Sequence, residues 1–84
     1  MKLPSEPVTL TPEQIDQLNH LLTEVRHNIN NHLSLMTAAA EIVSRKPDMA
    51  ARMLPNLVTQ PQKVTDEMRR FSDEFERLLK LERD

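Results

Sequence analysis

The chain has no glycine, no cysteine, no tryptophan and no tyrosine, and its only aromatics are two phenylalanines in 84 residues. Each absence narrows the field. Without cysteine there can be no disulfide and no thiolate metal site, and the composition suits a reducing compartment. Without glycine, the tight turns that join short strands lose their usual residue, and few β-branched or aromatic residues remain to build strands. No glycine-rich loop can cradle a phosphate. No apolar run is long enough to span a bilayer. The opening Met1-Lys2-Leu3-Pro4-Ser5-Glu6-Pro7 carries one lysine and no apolar core, so it does not read as a signal peptide. These features read as a soluble, cytoplasmic protein with no membrane partner.

Charge is balanced, with 11 basic and 13 acidic residues and a formal net charge of −2. Nucleic-acid binding, which usually shows a basic face, is disfavoured. What the chain does have is alanine, leucine, glutamate, glutamine, lysine, arginine and methionine, all good helix formers. The expected fold class is all-α.

Residues 1–10 hold Pro4 and Pro7 without periodicity and read as a flexible leader; residues 11–84 read as the domain. Thr11 is a candidate N-cap, Pro12 suits the first helical position, and Gln14 completes a capping box. A first helix, about 12–46, follows from apolar residues stepping by three and four: Ile15, Leu18, Leu22, Val25, Ile29, Met36, Ala39 and Val43, with His32 in the one polar slot. Leu21, Leu33, Leu35, Ala40 and Ile42 widen the stripe. Pro47 ends that helix, placing a turn about 45–48 with Asp48 as a candidate cap. A second helix, about 48–83, carries Leu54, Leu57, Val64, Met68, Phe71, Phe75 and Leu78, with kinks expected near Pro55 and Pro61. The competing reading restarts this helix at Thr59, with Gln62 closing a second capping box. The apolar phase runs through both prolines and favours one bent helix.

Two helices, each roughly 50 Å long at 1.5 Å per residue, form a hairpin that cannot cover both flanks of such broad stripes. A two-fold homodimer packing hairpin on hairpin would cover them, giving a four-helix bundle.

The polar side of the first helix gathers His20, Thr23, Glu24, His27, Asn30, Asn31 and Ser34. With Val25 and Ile29 facing inward, His27 faces outward. An exposed imidazole in its neutral form offers an unprotonated nitrogen as a nucleophile to an approaching partner. His20, Glu24 and His27 could share a face as metal ligands, but the stack spans about 10 Å along the axis, too far for one ion, so no metal site is expected. His32, in the buried phase, reads as a polar core or interface residue. The charged run from Asp66 to Arg77 reads as a solvated face.

The run Arg26-His27-Asn28-Ile29-Asn30-Asn31-His32-Leu33 resembles the phosphoacceptor box of the dimerisation and histidine-phosphotransfer domain of sensor histidine kinases. In that family an exposed histidine is followed by an acidic residue and, four positions on, by Asn or Thr, early in the first helix of a dimeric hairpin. The resemblance implies that His27 is the phosphoacceptor and that Asn31 stands where a polar side chain orients the nucleotide or a hydrolytic water. It implies a receiver domain of a response regulator as partner, which would bring its own Mg2+, and a separate kinase as a further partner, with no cofactor intrinsic to this chain. Asn28 departs from the pattern, because the family usually has a carboxylate there acting as general base. An amide cannot take up a proton in that way. With that change, and without a nucleotide-binding domain in its 84 residues, the chain does not read as a self-sufficient kinase. The expectation is a phosphotransfer or docking module, with a purely structural oligomerisation hairpin, or a degenerate relic of the phosphotransfer domain, as the alternative.

Overall fold

The computed structural model describes residues 3–80, and these form an antiparallel helical hairpin. Helix α1 spans Pro12–Arg45 and helix α2 spans Ala50–Leu79, joined by a single 3-10 turn, Pro47–Met49. The expected all-α class and hairpin are what the chain adopts.

Local chemistry sets the ends of α1. Thr11 is extended (φ −75°, ψ 159°), its hydroxyl accepts the Gln14 amide at 3.1 Å, and its own amide donates to Gln14 Oε1 at 2.9 Å. Both halves of the capping box are therefore made, with Pro12 at the first position where no N–H is needed. At the other end, Lys46 precedes Pro47, whose ring disfavours helical geometry in the residue before it. Lys46 accordingly leaves the helix (φ −133°, ψ 79°) while its amide still closes on the Ile42 carbonyl at 2.8 Å. Asp48 does not cap α2, contrary to the sequence reading. It lies inside the 3-10 turn, and the residue at the start of α2 is Met49, with no side-chain cap bond. The turn is tight enough that the chain re-enters a helix without an extended capping residue.

Helix α2 runs unbroken through Pro55 and Pro61. Each proline deletes one N–H donor, at a typical cost of about 3 kcal/mol in a helix interior. The carbonyls left without their helical donor are those of Ala51 and Leu57, four residues before each proline. The nearby hydroxyl bonds, from Thr59 Oγ1 to the Asn56 carbonyl at 2.8 Å and from Thr65 Oγ1 to the Pro61 carbonyl at 3.2 Å, go to other acceptors. Thr59 and Gln62 make no capping box, since Gln62 instead donates to Asp66. Continuity comes from packing against α1. Residues 81–83, at the expected end of the second helix, lie outside the described residues.

The helix–helix seam follows a three-four spacing on both strands of the hairpin. On α1 it runs Leu18, Leu21, Val25, Asn28, His32, Met36, Ala39 and Val43; on α2 it runs Met53, Leu57, Gln60, Val64, Glu67, Phe71, Phe75 and Leu78. Leu21 thus belongs to the seam, whereas Ile15 and Leu22, expected in the core register, are 55 % and 37 % exposed. Phe71 and Phe75 stack with ring centroids 5.9 Å apart. The core is thin: Val25, Ala39, Leu78 and Gln60 are the residues buried among those described.

A second apolar stripe lies beside the seam on each helix. On α1 it is Ile15, Leu22, Leu33 and Ala40, and on α2 Leu54, Val58 and Met68. In an antiparallel pair these two stripes fall on the same broad face, because each is displaced about a quarter turn from its seam in the same helical sense. The opposite broad face carries the Glu24–Arg70 ion pair, with Leu35 and Ile42 exposed towards the turn. The chain is 58 × 27 × 13 Å and exposes 6542 Å². A compact monomer of 9.8 kDa exposes roughly 5,200 Å². The excess reflects an elongated two-helix shape and the exposed segment that precedes α1. Among the described residues, no helix is long and apolar enough to cross a membrane.

Candidate functional site

Midway along α1, successive residues serve different sides of the helix, because each step turns by about 100°. Val25 is buried in the seam, His27 is exposed, Asn28 returns half-buried to the seam, and Asn31 is exposed one turn beyond His27. The amide Nδ2 of Asn31 lies 3.4 Å from His27 Nε2. In the tautomer with the proton on Nδ1, the single Nε2 lone pair accepts from Asn31 and is engaged by that amide for as long as the contact holds. His27 and Asn31, paired by the sequence pattern, are therefore brought together on the surface.

Asn28 is placed otherwise. Its Nδ2 donates to Glu67 Oε1 of α2 at 2.6 Å. The Glu67 side chain is only 16 % exposed, and its second oxygen accepts from Arg70 Nη1 at 3.2 Å. Arg70 reaches back to α1 through Nη2, which donates to Glu24 Oε1 at 2.9 Å. A chain of hydrogen bonds thus leaves α1 at Asn28 and returns to it at Glu24. The hydrogen bond to Glu24, followed by the attraction of both carboxylates, raises the Arg70 pKa above its ordinary value, so the guanidinium stays charged.

One turn further, His32 Nδ1 lies 2.8 Å from Gln60 Oε1, a contact within the chain. It leaves Gln60, 7 % exposed, as a satisfied buried amide. A shallow cleft of about 270 Å³ opens beside these pairs, lined by His32, Lys63, Asp66, Glu67 and Arg70.

His20, Glu24 and His27 do not converge. His20 pairs with Asp16 at 3.4 Å, Glu24 with Arg70, and His27 with Asn31. Among the described residues, no group of three His, Cys, Asp or Glu side chains is placed to hold a metal ion.

Glu67, expected with Arg70 on a solvated charged face, stands half-buried in the seam, as does the buried Gln60, which no sequence expectation named. The signal was present in α2: the spacing Leu57, Gln60, Val64, Glu67, Phe71 puts two polar residues into an apolar series. Comparison with protein-family models, curated proteins and solved structures finds no match for the chain.

Proposed function

We propose that this chain is a dimeric histidine phosphotransfer or docking module of a cytoplasmic two-component relay, with His27 as the phosphoacceptor. The observation that carries the reading is the exposed His27 with the Asn31 amide at its Nε2, on a side of α1 turned away from the apolar stripe.

The chemistry asked of this chain is small. With Asn31 turned aside, the freed Nε2 lone pair attacks the phosphorus of an aspartyl phosphate on a receiver domain, an N–P bond forms, and the acyl P–O bond breaks to release the aspartate carboxylate. The reverse step returns the phosphoryl group. Phosphoryl transfer depends mainly on in-line positioning and charge stabilisation. The receiver's magnesium site would supply the charge stabilisation, so this chain needs no cofactor of its own. His27 contributes a nucleophile on a rigid helix, and Asn31 a donor that can turn to a phosphoryl oxygen. Position 28 offers no base, which fits a module that takes phosphate from a receiver or a separate kinase and does not act on ATP itself.

The apolar stripe supports dimerisation through a second copy of the chain. Val58, Met68, Ile15, Leu33 and Leu54 are 70 %, 58 %, 55 %, 46 % and 44 % exposed, and they recur along the full length of one face. Half of a 58 × 27 Å face reaches the roughly 800 Å² per partner of a standard interface. The even spread suits a self-complementary two-fold contact, and His27 and the Glu24–Arg70 face would stay open to other partners.

The structural alternative, a hairpin with no chemistry, is favoured by one observation: Asn28 is committed to holding the seam. The two readings are separated by mixing the protein with a phosphorylated receiver and following the acid-labile phosphate. Transfer that His27→Ala abolishes supports the relay; no transfer from receivers or from kinase and ATP leaves the structural reading.

A further inference from the structure

The middle of the seam is polar where its two ends are apolar. Leu18, Leu21 and Val25 lie on one side of this segment and Met36, Ala39 and Val43 on the other. Between them stand Asn28 against Glu67 and His32 against Gln60. Apolar contacts are non-directional and tolerate a small rotation or slip of one helix on the other. A charge-assisted hydrogen bond of 2.6 Å does not. Rotating α1 by one residue step, about 100°, would take Asn28 out of the seam. The largely covered Glu67 carboxylate would lose its seam donor, and His27 would move off its outward direction.

We infer that Asn28 and Glu67 form a register lock that sets the direction in which His27 points, making Asn28 a positioning residue for the site. The departure from the family pattern acquires a physical reason. A carboxylate at position 28 would stand at hydrogen-bonding distance from the Glu67 carboxylate, and two like charges in a half-buried seam repel. An acidic residue at 28 therefore requires a neutral residue at 67. Arg70 strengthens the lock from outside: it holds Glu67 on α2 and spans to Glu24, one turn before Asn28 on α1. The functional consequence rests on the proposed role of His27, whereas the lock itself does not.

The test uses Asn28→Asp, Glu67→Gln and the double variant in the full chain. One readout is the thermal midpoint. The other is the rate at which diethyl pyrocarbonate modifies His27, relative to free N-acetylhistidine in the same solution, a standard that does not move with α1. At pH 7, Asn28→Asp lowers the midpoint by about 5 °C or more and changes the ratio of the His27 rate to that standard at least twofold. The double variant, with an acid facing an amide again, recovers both. A double variant no better than Asn28→Asp, or a ratio unchanged in all three proteins, overturns the lock. Because neither readout involves phosphate, failure here is distinguishable from failure of the relay reading, which phosphoryl transfer to the wild-type protein decides.

Discussion

Asn28 donates to Glu67 across the helix seam at 2.6 Å, although the residue directly before it, His27, is exposed to solvent. Two adjacent residues thus face opposite ways, one bonded across the helix pair and the other turned to solvent.

The exposed apolar face predicts a dimer. Val58→Glu and Ile15→Glu each place a charge in the stripe, and light scattering at micromolar concentration is expected to move from twice the 9.8 kDa chain mass to the monomer value. Leu35→Glu, on the opposite broad face, leaves the dimer intact. A wild-type protein that scatters as a monomer at high micromolar concentration contradicts the assignment.

The His32–Gln60 pair predicts an asymmetry between single and paired changes. Gln60→Ala deprives the half-buried His32 of its partner, and urea unfolding should show a loss of about 1–3 kcal/mol. The paired change His32→Leu with Gln60→Leu removes both polar groups and should recover most of that loss. Equal losses in the single and paired variants would mean that the hydrogen bond has no part in stability.

The Glu74–Arg77 pair predicts a pH dependence. Arg77 Nε donates to Glu74 Oε2 at 3.0 Å, with a second, shorter bond from Nη2 to Oε1. The hydrogen bond to Arg77 holds the Glu74 carboxyl below its ordinary value of 4.5. A depressed carboxyl pKa gives stability that is present above the unfolded value and lost as pH falls through the folded one. Wild type is therefore expected to exceed Arg77→Ala in urea midpoint at pH 7, and the gap should close below pH 4.5. Arg77 is exposed and Glu74 half-exposed, so the gap should also shrink in high salt. A gap that persists unchanged at pH 2.5 contradicts the pairing.

Much of the fold was legible in the sequence because local rules and tertiary packing agree. Thr11, Pro12 and Gln14 define the start of α1 by hydrogen bonds within one turn, and Pro47 defines its end by sterics. Asp48 misled because capping preference says nothing of how tight a connection will be. The seam was harder to place. The first-helix stripe is so wide that Leu21 and Leu22 both fit it, and only the facing helix decides that Leu21 packs while Leu22 lies on the flank. The outward direction of His27 followed from Val25 and Ile29, since inward-facing residues two positions before and after leave position 27 on the far side. The clasp through Glu67 and Arg70 joins residues 39 and 46 positions from their partners. Spacing within one helix cannot reveal such pairs.

The account turns on a reactive imidazole at position 27, and the most direct measurement uses a small phosphodonor that needs no partner protein. Incubation with phosphoramidate, followed by 31P NMR and by mass spectrometry under neutral conditions, should find one acid-labile phosphoryl group on His27, with ammonia released. The group should be absent from His27→Ala and retained in His20→Ala and His32→Ala. A wild-type protein that stays unphosphorylated, or a label that survives His27→Ala, would contradict the account.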